Sequence, residues 1–154
     1  MAFSLSSSAF SNSQPIPSKH SRLGGNVSPP LEWRDAPPET RSYALIIEDP
    51  DAPRGTFRHW AIYDIPADRM QLDENAGSGS DASGLKHGLN DFGNRRYDGP
   101  QPPEGHGPHH YHFKLAALNV ASLGVPAGSK VLEIWQAARP HIIAEAETVG
   151  IFER

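Results

Sequence analysis

The sequence predicts an all-β protein whose main sheet is mostly antiparallel. Several apolar runs have the length and β-branched content of strands, whereas only one segment has the periodicity of a helix. The 15 prolines and 14 glycines require many turns, which argues against a helical bundle. The connections between the strands lack helical crossovers, and this favours antiparallel neighbours.

The first forty residues are rich in serine, proline and glycine, and they contain the tract 27–33. Its adjacent prolines, Pro29 and Pro30, cannot occupy a helix interior or a central strand, so the tract is predicted to be an extended segment beside the sheet. Trp33 is expected in the core. The apolar run 42–47 then predicts a buried strand, because it is short and rich in β-branched residues.

Three further strands are predicted, over residues 59–65, over residues 111–118, and from about residue 141 to residue 152. Alternation along the first of these places its side chains on two faces, His59, Ala61, Tyr63 and Ile65 on one and Trp60, Ile62 and Asp64 on the other. In the second strand, one face is expected to carry Tyr111, Phe113, Leu115 and Ala117.

A long polar stretch lies between residues 68 and 108 and includes the glycine–serine segment 76–81. Irregular chain of this length inside a compact domain is usually functional or mobile. One helix is predicted over residues 130–139, with Ser129 as its N-cap and Pro140 as its stop. The face expected to meet the core recurs at helical spacing and consists of Val131, Ile134, Trp135 and Ala138.

Length and composition limit the classes of protein to which the chain can belong. The 154 residues suffice for one domain with a real core, so a single domain over residues 1–154 is expected. A net charge of −4 and scattered Lys and Arg argue against nucleic acid and against membrane surfaces as partners. The absence of cysteine excludes disulfides and fits the cytosol. With no secretory signal pattern and no membrane-spanning apolar run, we expect a cytoplasmic protein with no membrane insertion.

A pair of carboxylates, Asp49 and Asp51, follows the first long strand. Pro50 and Pro53 restrict the backbone around them and hold both carboxylates at a strand end, where functional sites are often built. A plain turn with Asx-type capping also explains this spacing, and the spacing alone slightly favours it. His59 opens the next strand and would lie beside Asp49, whose charge would support a protonated imidazole.

The histidine-rich segment 105–112 has two interpretations. His110 and His112 face one side of the predicted strand, and His109 and Tyr111 face the other. A metal site would need a third ligand from elsewhere, and no glutamate stands at a suitable distance. An anion pocket ranks above it, with His109 and Tyr111 pointing inward and nearby glycines leaving backbone N–H groups free.

Taken together, these clusters resemble the phosphatidylethanolamine-binding protein family, in particular its bacterial and archaeal Raf-kinase-inhibitor-like branch. The similarity covers nearly the whole chain in the expected order. The segments that carry it are NVSPPLEW (26–33), DPDAP (49–53), GTFRHW (55–60), NDFG (90–93), YDGP (97–100), PP (102–103), GPHHY (107–111) and AEAE (144–147).

The resemblance implies a β-sandwich with a large antiparallel central sheet, a few short peripheral helices and a small anion pocket at one end. It implies a non-catalytic protein that binds a small phosphorylated or carboxylate anion such as phosphoethanolamine, with no metal and no cofactor. The pocket residues carried over by motif are Asp49, Asp51, Pro53, His59, Gly99, His109 and Tyr111.

The resemblance also implies a protein partner, either a kinase or a serine protease that the chain inhibits, and a homodimer. Trp60, Tyr63 and Trp135 are expected to offer apolar surface for the dimer. Two residues depart from the family pattern. His110 stands where the family usually has an arginine that tethers neighbouring loops, and Gln101 stands where the bacterial branch often has cysteine.

A metal-dependent or acid–base hydrolase that uses Asp49, His59 and His109 is the alternative function. It is disfavoured because the sequence offers no clear nucleophile and no closed set of metal ligands. A G-x-S-x-G nucleophile elbow is also missing.

Two finer expectations concern the pocket. The Ala52–Pro53 peptide bond is expected to be cis, because tight turns beside ligand pockets retain such bonds. The neighbouring carboxylates are expected to raise the pKa of His59 or His109, which would leave at least one imidazolium at neutral pH.

Overall fold

The computed structural model describes residues 2–79 and 84–154, which form nine strands, one α-helix and short 3₁₀ turns. The strands are β1 (Ser4–Ser6), β2 (Gln14–Pro15), β3 (Leu31–Arg34), β4 (Ser42–Asp49), β5 (Phe57–Pro66), β6 (Gln71–Leu72), β7 (Lys86–His87), β8 (His109–Leu118) and β9 (Ile142–Phe152). The helix α1 spans Val131–Ala138, and 3₁₀ turns lie at Ser18–His20, Ala76–Ser78 and Arg139–His141.

Two sheets enclose the main core. The larger sheet has the strand order β2-β9-β8-β4-β5-β7 and is antiparallel apart from the β2–β9 pair. The smaller sheet has the order β1-β3-β6 and packs on one face of it, while α1 covers the opposite face. The predicted all-β sandwich, with a large and mostly antiparallel sheet and few short helices, is therefore confirmed.

Strand β4 lies between β5 and β8 and is buried along nearly its whole length. Alternate side chains of β4 face the smaller sheet and the helix α1. Because both faces are covered, residues 43–47 of the strand are continuously apolar, and no polar alternation marks them in the sequence. The same burial extends to the end of the strand and includes Asp49, which is 3% exposed.

Two β-bulges in β5 overturn the face assignment made from strict alternation. The neighbours of His59, Arg58 and Trp60, pair with consecutive residues of β4, so His59 is an extra residue in the ladder. A bulge re-aims the side chain it carries. The His59 ring therefore contacts Tyr111, on the same face as Trp60. A second shift of register moves Ile65 to this face as well.

The helix α1 begins one residue later than predicted. Lys130 is its N-cap, and the Lys130 N–H donates to the Glu133 carboxylate at 2.8 Å. The predicted cap, Ser129, instead donates its hydroxyl to the carbonyl of Pro126 at 2.6 Å. The predicted core face of the helix is confirmed, because its four buried residues are Val131, Ile134, Trp135 and Ala138.

The aromatic side chains expected at a dimer surface belong to the core of the single chain. Trp60 is 0% exposed, Tyr63 is 5% exposed and Trp135 is 7% exposed. The expectation that these three side chains offer surface to a second chain is therefore wrong. The homodimer itself stays a prediction from the family resemblance.

Other parts of the chain follow the sequence more closely. Trp33 is buried in the core, and residues 68–108 contain little regular structure apart from β6, one 3₁₀ turn and β7, as far as they are described. Residues 80 and 81 of the glycine–serine segment lie outside the described residues. In the described part of the chain, no helix is long and apolar enough to cross a membrane.

Replacing Ile134 by alanine is expected to lower the free energy of unfolding by about 2–5 kcal/mol, because this side chain is fully buried between α1 and the larger sheet. Leu132 lies on the same helix and is 39% exposed, which makes Leu132→Ala the matched control. The control should change the free energy by roughly 0.5 kcal/mol or less. Urea unfolding measures both, and equal losses would contradict the packing of α1.

Candidate functional site

A small pocket of about 180 Å³ lies where β4 ends and where β5 and β8 begin. Its polar floor consists of Asp49, His59, His109 and Tyr111. Its largely apolar rim consists of Ala52, Pro53, Phe57, Phe92, Gln101, Pro102 and Pro103. The floor brings together four of the seven residues that the family motifs assign to the site, and the rim adds Pro53.

A larger cleft, of about 360 Å³, lies beside β7. Its cationic side chains, Lys86 and Arg95, are exposed, and Lys86 already pairs with Asp64 at 2.9 Å. The smaller pocket is the stronger candidate, because all four groups of its floor are titratable and at most 4% exposed. Burial of this kind alters the chemistry of titratable groups and is typical of functional sites.

Asp49 and His109 form a buried pair on the floor. Oδ2 of Asp49 lies 2.7 Å from Nδ1 of His109. Oδ1 of Asp49 accepts the N–H of Asp51 at 2.8 Å, so the Asx-type turn expected from the spacing is present. Because the carboxylate can only accept, Nδ1 of His109 carries a hydrogen.

The hydrogen bonds continue from His109 to His106, a residue of the histidine-rich segment to which the sequence pattern assigned no role of its own. Nε2 of His109 lies 2.6 Å from Nδ1 of His106, and the two rings meet edge to face. In a neutral His109 this Nε2 carries the lone pair, so His106 is the donor. Both ring nitrogens of His109 are therefore engaged within the protein.

His59 approaches the floor from the other side. Its Nδ1 donates to the backbone carbonyl of Asp98 at 2.8 Å, because a carbonyl can only accept. Burial lowers the pKa of His59, although the bond to Asp98 and the charge of Asp49 oppose this shift. The expected rise in pKa, which was predicted for His59 or His109, is therefore wrong for His59, because desolvation of a ring only 4% exposed outweighs the carboxylates. For His109 it stays a prediction.

Tyr111 completes the floor as a neutral phenol. Burial raises the pKa of Tyr111, and the negative charge of Asp49 raises it further. The Tyr111 ring meets the His59 ring edge to face, with the centroids 5.3 Å apart. The predicted assignment of the β8 side chains to two faces is confirmed, since Tyr111 and His109 are buried on the pocket side and His110 is exposed.

A second buried carboxylate, Asp98, fixes the segment that holds His59. It is 0% exposed and accepts hydrogen bonds of 2.8–2.9 Å from three side-chain amides, those of Asn26, Asn90 and Asn94. Burial alone would raise the pKa of Asp98, but these hydrogen bonds and a nearby guanidinium lower it. Asp98 therefore stays charged, and its main chain orients His59.

Two residues that the motifs assign to the site, Asp51 and Gly99, lie outside the pocket lining. The Asp51 carboxylate accepts from the N–H and from Nδ1 of His110, at 2.8 and 2.7 Å. His110, at the position where the family resemblance leads us to expect arginine, therefore tethers the loop after β4. Gly99 donates its N–H to Asn26 at 2.7 Å, and a Cβ at this position would collide with the carbonyl oxygen of His20.

The peptide bond between Ala52 and Pro53 is trans, so the expected cis bond is wrong. The loop reverses direction by other means. The N–H of Gly55 donates to the carbonyl of Ala52 at 3.1 Å, and Gly55 adopts a φ of 106°, which favours glycine. The turn therefore closes without a cis proline, and Pro53 remains on the rim.

The rim is built from side chains that carry no catalytic signal in the sequence. The rings of Phe57 and Phe92 meet edge to face, with the centroids 4.7 Å apart. The guanidinium of Arg22 lies 4.1 Å from the centre of the Phe92 ring and donates to Gln101 at 2.8 Å. Only the family motifs, which contain both phenylalanines, could have pointed to this rim.

The histidine-rich start of β8 does not close around a metal ion. Within residues 2–79 and 84–154, no three His, Asp or Glu side chains converge closely enough to hold one. His110 and His112 point away from the pocket, where they pair with Asp51 and Glu147.

Comparison with known proteins covers nearly the whole chain. A family model for phosphatidylethanolamine-binding protein matches residues 6–153. A relative from Aquifex aeolicus, named UPF0098 protein, is 43% identical over 148 residues, which cover 96% of this chain and 86% of the relative. A relative of the same name from Methanothermobacter thermautotrophicus is 39% identical over 151 residues, which cover 97% of this chain and 98% of the relative.

Two solved structures have a similar fold. Escherichia coli YbcL, described as a new member of the mammalian PEBP family, matches with a TM-score of 0.95 and 32% identity, covering 100% of this chain and 99% of YbcL. A phosphatidylethanolamine-binding protein homologue from Chlamydia trachomatis matches with a TM-score of 0.89 and 37% identity, covering 99% and 98%. Sequence and fold therefore agree over the same length of chain.

The lowered pKa of Asp98 makes its contribution to stability dependent on pH. The stabilisation is present above the unfolded carboxyl pKa of about 3.9 and is lost as the pH falls through the lower folded value. We expect Asp98→Asn to lower the free energy of unfolding by roughly 1.5–3 kcal/mol at pH 7, and the deficit to shrink at pH 3. Urea unfolding at both pH values measures this.

The control for Asp98→Asn is Asp68→Asn, because Asp68 is exposed. This substitution should change the free energy of unfolding by roughly 0.5 kcal/mol or less at either pH. A deficit for Asp98→Asn that is the same at pH 7 and pH 3 would show that the charge of Asp98 does not stabilise the fold.

Proposed function

The chain belongs to the phosphatidylethanolamine-binding protein family, in its bacterial and archaeal branch, and we infer that its pocket binds a small phosphate- or carboxylate-bearing anion without transforming it. Phosphoethanolamine is the model ligand. The observation that carries this proposal is the floor of four buried titratable groups, Asp49, His59, His109 and Tyr111, at the bottom of a small apolar-rimmed cavity.

The size of the cavity supports a headgroup-sized ligand. Pockets for drug-sized molecules usually measure about 300–1,000 Å³, whereas this one measures about 180 Å³. The aromatic rim of Phe57 and Phe92 would exclude water from such a ligand and strengthen its polar contacts.

The floor favours a ligand that brings its own proton. Asp49 is a carboxylate, and His59, with its lowered pKa, is neutral and offers a lone pair at Nε2. A phosphate dianion at this position would meet two acceptors, the Asp49 carboxylate and Nε2 of His59. A phosphomonoester monoanion can donate its remaining proton, and the ammonium group of phosphoethanolamine complements Asp49. The amide N–H groups of Gln101, whose oxygen already bonds Arg22, are further donors at the rim.

Acid–base hydrolysis by Asp49, His59 and His109 has less support than binding. Both ring nitrogens of His109 are hydrogen-bonded within the protein, which leaves Nε2 of His59 as the proton acceptor of the two rings. Among the described residues that line the pocket, the phenol of Tyr111 is the only hydroxyl, and its raised pKa makes it a poor nucleophile.

The wider biology stays a set of predictions from the family resemblance, namely inhibition of a kinase or a serine protease, a cytoplasmic location and a homodimer. The homodimer is the simplest of these to test. Light scattering at micromolar protein is expected to give twice the chain mass of 16.8 kDa. A mass of 16.8 kDa would contradict it.

Phosphoethanolamine is expected to bind more tightly as the pH falls from 7.5 to 5.5. The monoanion of a phosphomonoester becomes its main form below roughly pH 6. Because burial lowers the pKa of His59, this ring is neutral at pH 7 and above, and the expected trend comes from the protonation of the ligand. Calorimetry across the range measures Kd, and an affinity that is flat or rises with pH contradicts the proposed ligand state.

Two histidine-to-glutamine variants test whether the ligand binds in the pocket or elsewhere on the larger sheet. His59→Gln should weaken binding by about tenfold or more, since a hydrogen bond to a charged group is worth roughly 1.5–3 kcal/mol. His112→Gln is the matched control, because His112 lies on the opposite face of the larger sheet and pairs with Glu147 at 3.4 Å. Wild-type affinity in His59→Gln would count against this pocket as the binding site.

A further inference from the structure

Asp49, His109 and His106 form a hydrogen-bonded line from the pocket floor to the surface. The two bonds measure 2.7 and 2.6 Å. Asp49 and His109 are buried, and His106 is exposed. A carboxylate, an imidazole and a third group in this order are arranged as in catalytic triads, where the middle imidazole takes a proton from the nucleophile. In this chain the third group is itself an imidazole.

The hydrogen bonds determine where each ring carries its hydrogen. Asp49 accepts from Nδ1 of His109, and neutral His109 accepts at Nε2 from Nδ1 of His106. The remaining nitrogen, Nε2 of His106, then carries a lone pair, and no described residue hydrogen-bonds to it. This is the nitrogen through which a neutral imidazole attacks an electrophile.

The loop is built to direct His106 towards His109. The glycines before and after His106 adopt φ values of 72° and 88°, which residues with a Cβ rarely take. The N–H of His106 closes a turn onto the carbonyl of Pro103 at 3.2 Å, and the N–H of Gly105 donates to the carbonyl of Arg154 at 3.0 Å. The backbone thus positions the main chain of His106, and the hydrogen bond to His109 orients its exposed ring.

We propose that Nε2 of His106 is a phosphoryl acceptor, modified by a phosphoramidate-class donor to give a phosphohistidine. The Nε2 lone pair forms the new N–P bond, and the P–N bond of the donor, whose nitrogen is protonated, breaks with its electron pair leaving on the neutral amine. The Nδ1 proton of His106 moves to Nε2 of His109, and Asp49 stabilises the imidazolium that forms. Donor and product both contain a P–N bond, so the exchange is nearly balanced in energy.

The phosphoryl acceptor goes beyond the proposed anion binding and does not depend on it. His106 lies outside the pocket lining, so the step needs no ligand in the pocket. Failure to bind phosphoethanolamine would leave the acceptor role intact, and failure of phosphorylation would leave the binding role intact.

His110 provides an internal comparison in the same molecule. It is also exposed, and its Nδ1 meets the carboxylate of Asp51 at 2.7 Å. The side chain of Asp51 is 41% exposed, so water screens its charge, whereas the side chain of Asp49 is 4% exposed and acts in a medium of low dielectric constant. His106 should therefore react faster than His110.

The test is incubation of the full chain with potassium phosphoramidate, followed by peptide mass spectrometry at neutral to alkaline pH, which preserves P–N bonds. We expect the labelling rate at His106 to exceed the rates at His110 and His112 on the order of 10²-fold, the usual contribution of a positioned base. Equal rates at the three histidines, or a faster rate at His110, would overturn the proposal.

Two variants test the roles of the buried groups. His109→Gln should slow labelling of His106 on the order of 10²-fold and leave the rate at His110 unchanged. Asp49→Asn keeps an oxygen that can accept from Nδ1 of His109 and removes the charge. A purely structural role of Asp49 therefore gives no loss, whereas stabilisation of the imidazolium gives a loss of about tenfold or more.

A wild-type rate at His106 in either variant would overturn the proposal. Melting temperatures and the rate at His110, measured on the same samples, distinguish a chemical loss from unfolding. The comparison of the three histidines in the wild type needs no variant, so a variant that fails to fold leaves the proposal open to refutation.

Discussion

The site depends on a carboxylate placed where water cannot solvate it. Asp49 ends a strand that is buried on both faces, and an isolated charge there would be strongly unfavourable unless donors replaced its hydration. The donors come from the N–H of Asp51 and from Nδ1 of His109. The need of Asp49 for these donors sets the tautomer of His109 and shapes the turn after β4. The negative charge of Asp49 also helps to keep the phenol of Tyr111 neutral.

Asp98, the second buried carboxylate, acts on His59 differently from the way Asp49 acts on His109, because it makes no direct ion pair with the ring. Asp98 satisfies its own charge with three side-chain amides and holds His59 through a main-chain carbonyl. His59 is thereby oriented without a direct ion pair, so burial dominates and its pKa falls. The floor therefore combines a negative charge with a neutral imidazole. The proposed preference for a ligand that carries its own proton rests on this combination.

Local patterns predicted those parts of the fold that local chemistry controls. The apolar runs, the core face of α1 and the pairing of His109 with Tyr111 on one side of β8 all follow from periodicity, and the structure has them. The prediction of the face on which His59 lies was wrong, because a bulge inserts one residue into the ladder. A bulge depends on how two strands pair, which the sequence of one strand does not show. The prediction that aromatic side chains form a dimer surface was wrong for a related reason, since Trp60, Tyr63 and Trp135 pack within the core of the single chain.

The sequence by itself determined which residue types stand at the strand ends, because prolines, glycines and apolar runs restrict the chain over a few residues, and the family motifs identify the same positions. Only the tertiary structure decided what those residues do electrostatically. His109 meets a carboxylate 60 positions away, and Asp98 meets an amide 72 positions away. Burial and long-range hydrogen bonds set the charge and tautomer of each group, and both arise from neighbours that adjacent residues in the sequence do not specify.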